Sequence, residues 1–171
     1  MRLMPIALSA AIALGTMASA GHGQKPDDQI DPRSSALVAE AQAHHTGGRY
    51  QEATDYLESA LAVDPRNRRA YIGLARDAQS QKLPGKAIKF YGEALTLEPN
   101  DVDALAGQGE AFVQRGAVER AKKNLERVRS LCKDQCAQAT TLAAAIAKGP
   151  PAEVVTAERM HVAPPSVTKT D

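Results

Sequence analysis

Cys132 and Cys136 are the only two cysteines among 171 residues, and their four-residue spacing narrows what the sulfurs can do. A redox-active pair is more often Cys-x-x-Cys, and covalent haem needs a histidine after the second cysteine, where Ala137 stands. A zinc site needs two more ligands than the pair supplies. In an exported protein two such thiols default to a disulfide, which at this ring size stabilises by about 2 kcal/mol. His44 and His45 also invite a metal, but adjacent helical residues point about 100° apart and no carboxylate stands at the zinc-protease spacing. Gly107-Gln108-Gly109 is a fragment of a nucleotide-loop pattern inside a helical stretch, where close helix packing explains it better. Neither a Gly-x-Ser-x-Gly elbow nor a persuasive pair of carboxylates occurs. These residues predict no enzyme, no cofactor and no metal, and a structural disulfide between Cys132 and Cys136.

Whether the thiols oxidise depends on the compartment, and the first twenty residues speak to it. Arg2 supplies a short positive start, Leu3 to Met17 is an apolar and small-residue run, and Ala18-Ser19-Ala20 fits a small-x-small cleavage site. Residues 1–20 therefore read as a cleaved secretory signal, with an uncleaved membrane anchor as the weaker alternative because the run is short and Ala-rich. No cysteine lies near the cleavage point, so a lipoprotein anchor is not supported. The expected mature chain is periplasmic or secreted, without a membrane anchor. Cleavage removes one arginine and no acid, which brings 21 basic against 20 acidic side chains to an even balance. With no tryptophan and four tyrosines, that balance argues against nucleic acid. The charge is unevenly spread: residues 34–67 are net −3 and residues 102–133 net +3. Such acidic and basic ends leave self-association open as a property of the chain.

The helices that must position these groups follow a 34-residue period. Gly48-Arg49-Tyr50-Gln51-Glu52-Ala53 through Asp64-Pro65 returns, degenerate, as Ala87 through Glu98-Pro99, and again from Gly116 through Ala121, Leu125 and Val128 to Lys133. Asp31-Pro32 precedes the first copy, so acidic-proline pairs separate the units, and proline resets the chain at a helix start. The pattern predicts helices at about 34–46, 50–63, 68–81, 84–97, 102–115 and 118–131, with a cap at 135–148 covering the open end. Residues 21–33 read as a flexible leader and 149–171 as a disordered Pro-rich tail. Ala41, Ala75 and Gly109 in first helices, and Ala53, Ala87 and Ala121 in second ones, allow axes to approach to about 8 Å. Leu37, Tyr71, Leu105, Leu57, Tyr91 and Leu125 fill the space between.

These positions resemble the tetratricopeptide repeat (TPR) family, and the chain looks like an exported bacterial member. The first unit carries the resemblance most clearly, through Gly48, Tyr50, Ala53, Leu57, Ala60 and Pro65. The second departs at its turn, where Lys82-Leu83-Pro84 replaces glycine and an aromatic; the third lacks its closing proline; His44 stands where the family favours an aromatic. The resemblance implies an all-α, right-handed TPR solenoid of three helix pairs plus a C-terminal capping helix, with repeats at about 34–67, 68–101 and 102–133. It also implies a concave groove for a protein or peptide ligand, bordered by Gln42, His45, Arg69, Ile72, Arg76, Gln79, Asp103 and Glu110. The clamp by which some members hold a terminal carboxylate is missing, because Val38, Gln42, Gly73, Asp103 and Gly107 occupy its positions. The function implied is an adaptor or scaffold in cell-envelope assembly or maintenance. The alternatives are an oligomeric component acting by TPR stacking, an accessory to cell-wall enzymes, and a thiol oxidoreductase.

Overall fold

The structure, a computed structural model, describes residues 29–133, 136–152 and 154. The signal assigned to 1–20, residues 21–28 of the leader, Gln135 at the expected start of the cap and residues 155–171 of the tail lie outside the described residues. Within them the chain is an all-α repeat solenoid of seven helices. These are α1 (Pro32–Thr46), α2 (Tyr50–Val63), α3 (Arg68–Ser80), α4 (Pro84–Leu97), α5 (Val102–Gln114), α6 (Val118–Cys132) and α7 (Ala137–Lys148).

Local chemistry sets the helix limits. Asp31 caps α1 by accepting from the Arg33 backbone N–H at 2.8 Å, and Asp101 caps α5 by accepting from that of Ala104 at 2.7 Å. Proline opens α1 and α4, where its missing N–H has no helical partner to lose. Between the helices of each pair one residue takes a left-handed backbone: Gly48 (φ 73°), Lys82 (φ 58°) and Gly116 (φ 87°). The three share one register of the 34-residue repeat, so the unusual turn of the second unit keeps the conformation glycine would adopt and puts a lysine in it.

Packing follows chain order. α1–α2, α3–α4 and α5–α6 form hairpins, while α1, α3, α5 and α7 also stack side by side as one layer. Ala53, Ala60, Ala87, Ala94, Ala121 and Val128 are fully buried where helices cross. Leu57, Tyr91, Leu105 and Leu125 are buried with them, whereas Leu37 and Tyr71 are half-buried at the edges. The cap closes the stack with Leu142, fully buried over Gly109; a Cβ on that glycine would stand 2.7 Å from Leu142 Cδ2. Cys132 at the end of α6 and Cys136 at the start of α7 face each other, Sγ to Sγ 2.06 Å, and both pack against this last core.

The solenoid begins earlier than the leader boundary read from the sequence. Ile30 is buried, the Asp31 backbone N–H donates to Asp64 Oδ2 at 3.1 Å, and Arg66 Nη2 donates to Gln29 O at 3.2 Å. Residues 29–33 are thus fastened to the junction between α2 and α3, and α1 starts at Pro32. His44, in place of an aromatic, stacks on Tyr56 at 4.9 Å between ring centroids and pairs with Glu52 at 2.6 Å.

Candidate functional site

Arg69, Ile72, Arg76 and Gln79 recur every three or four residues on α3 and so share one face of it. Gln42 and His45 stand on the neighbouring face of α1, and Asp103 and Glu110 on α5. A cavity of about 420 Å³ opens among these helices. Gln42, His45, Arg69, Ile72, Arg76 and Asp103 line it, while Gln79 and Glu110 do not. Gln79 instead accepts from the Tyr91 hydroxyl at 2.7 Å, beneath the surface. Burial raises the Glu110 carboxyl above its ordinary value, and the Arg76 charge opposes the shift. Tyr91 is buried at the same place, where Gly107 leaves room for its ring, and burial drives its hydroxyl well above the usual tyrosine value.

Several lining residues were not among the expected groove positions. Ala41, Leu57 and Gly73 form the floor, and Arg68, Asp77 and Asp101 stand at its ends. Arg68 Nε pairs with Asp101 Oδ2 at 2.7 Å, which ties α3 to the cap of α5. Asp77 is 1% exposed. Its Oδ1 lies 2.5 Å from His45 Nδ1, and the Thr54 hydroxyl donates to Oδ2 at 3.5 Å. Burial raises the Asp77 carboxyl, against the opposing effect of His45. The available signal was its register: Asp77 falls on the buried stripe of α3 beside Leu74 and Ala78, where an unpartnered acid is costly.

The lining offers donors and acceptors around an apolar floor, which suits binding of another molecule rather than bond making. Among the described residues no group of three His, Cys, Asp or Glu is arranged to hold a metal, and no helix is long and apolar enough to cross a membrane.

Residues 34–77 match the family model for a tetratricopeptide repeat. No curated protein matches by sequence. Solved structures share the fold at low identity. The first TPR of Spaghetti (RPAP3), bound to the HSP90 peptide SRMEEVD, is 24% identical with a TM-score of 0.63, covering 68% of this chain and 91% of that one. The Sgt2 TPR domain from Aspergillus fumigatus is 19% identical with a TM-score of 0.64, covering 82% and 90%. PcrH, known from Pseudomonas aeruginosa, is 23% identical in its complex with the chaperone binding region of PopD, with a TM-score of 0.58 and coverage of 73% and 92%. With the family pattern over its first unit and the same helical repeat architecture along the described residues, the chain is a tetratricopeptide repeat protein.

Proposed function

We propose that the chain is an exported TPR adaptor that holds a protein or peptide segment in its groove, in cell-envelope assembly or maintenance. The observation that carries the reading is the cavity between α1, α3 and α5, with a floor of Ala41, Leu57 and Gly73 under a polar rim of Gln42, Arg69, Arg76 and Asp103. A partly apolar concavity with a few convergent polar groups is the usual form of a binding site. Structural relatives hold peptides, among them SRMEEVD and the chaperone binding region of PopD. Export rests on residues 1–20 and the family membership is independent of it.

Affinity capture from the exported fraction tests the reading, with the mature chain beside an Arg69→Ala/Arg76→Ala version of equal melting temperature. A partner held by the first and lost by the second supports groove recognition; one held equally by both removes the site from the groove. Terminal sequencing of the recovered protein, expected to begin at Gly21, tests cleavage separately. The charge asymmetry between residues 34–67 and 102–133 favours stacking into oligomers as a second reading, and concentration-dependent sedimentation without ligand distinguishes it.

A further inference from the structure

The cavity has a direction. On one wall its residues run from Ser35 to His45 along α1, and on the facing wall from Arg68 to Asp77 along α3, with only Asp101 and Asp103 contributed from α5. It therefore follows the valley between two helices for about 15 Å, ten residues at the helical rise. That length fits four to five residues of extended chain at about 3.3 Å each. Gly73 opens the floor halfway along: it has no side chain, so Leu57 of α2 shows through from beneath. A Cβ at Gly73 would stand 2.6 Å from Leu57 Cδ2, within the space the pit occupies.

The charges around this pit come in both signs. Arg68, Arg69 and Arg76 line the cavity with Asp77, Asp101 and Asp103. Arg68 is paired with Asp101 and His45 with Asp77, one pair toward each end of the valley. A balanced rim gives little attraction to a terminal carboxylate or ammonium. It does supply both donors and acceptors, which a buried peptide backbone needs along its whole length.

We propose that the α1–α3 valley takes an internal stretch of extended polypeptide, lying along the helices, anchored by one aliphatic side chain over Gly73 and Leu57. Gln42, which can donate and accept, and the Arg69–Asp103 end of the rim bond its backbone. Both chain ends of the ligand lie outside the cavity. This deepens the groove reading and rests on it.

The probe is a random octapeptide library displayed in two forms, one flanked by scaffold on both sides and one with a free carboxyl terminus. The full chain serves as bait beside Gly73→Ala and Gln42→Ala. The expected result is enrichment of the doubly flanked form around one aliphatic position, cut at least tenfold by Gly73→Ala. Should Gly73→Ala lower the melting temperature by more than about ten degrees, Gln42→Ala on the exposed face carries the same comparison. Enrichment that requires a free carboxylate, or that survives both substitutions, overturns the inference while leaving the groove reading in place. A dimer that Gly73→Ala renders monomeric names a second copy as the occupant and overturns it too. No enrichment in either form removes both readings together.

Discussion

Asp64 closes the first unit and also holds the start of the same unit. Its carboxylate accepts from the backbone N–H of Asp31 (3.1 Å) and of Arg66 (3.0 Å) and pairs with the Arg66 guanidinium at 2.8 Å. Burial would raise the group, but those N–H donors and Arg66 together hold it below the ordinary carboxylate value. Asp64→Ala leaves two backbone donors without their acceptor, at an expected cost of about 1–3 kcal/mol in urea unfolding near neutral pH. Because the folded value is the lower one, the ionised group stabilises the protein above its unfolded value of about 3.9, and this is lost as the pH falls through the folded value. The gap between the two proteins should therefore narrow below about pH 4. A gap that stays constant with pH would show that the carboxylate's charge is not what matters. The acidic-proline punctuation was visible in the sequence as a helix reset. That the acid reaches back 33 residues to Asp31 was not, since neither residue's type predicts a partner across a whole hairpin.

At the scale of elements, the helix positions were legible because two signals agreed: small residues at crossings and proline or glycine between them. The turn of the second unit looked like a departure only because its residue types differ. Its backbone does not, and Lys82 holds φ 58° where the other units place Gly48 and Gly116. A side chain in that region costs about 1–2 kcal/mol, and glycine returns some of the difference as unfolded-chain entropy. Lys82→Gly should thus stabilise by about 0.5–1 kcal/mol, read as a higher denaturation midpoint with an unchanged slope. The cap is held by Leu142 over Gly109 and by the Cys132–Cys136 link. Cys132→Ser should lose about 2 kcal/mol and leave the groove intact, whereas the oxidised parent should show no free thiol under denaturing conditions. The groove itself was only half legible. First-helix register brought Gln42, His45, Arg69, Ile72, Arg76 and Asp103 together, but Gln79 and Glu110 belong with the buried Tyr91 hydroxyl. Register identifies a helix face; it cannot reveal that Gly73 lets a residue of the second layer through to the first.

For the whole molecule, the governing fact is that every helix packs on its next neighbour or the next but one. The link from Arg66 to Gln29 spans 37 residues and that from Gln138 to Asp103 spans 35, so even the long ties reach only about one unit. Contacts this local are closed with little loop entropy, and helical proteins built from them refold in microseconds to milliseconds. Stopped-flow refolding should show a single phase in that range, with no slow step attributable to the cap when the disulfide is kept intact. There is a consequence for the order in which the chain acquires structure. Asp31 and Asp64 meet, and Ser34 donates to Ala60 O, as soon as the first hairpin and its closing turn exist. A chain emerging from its N-terminal side can therefore consolidate its first hairpin before its C-terminal third has been made, and each later hairpin finds a finished surface to settle on.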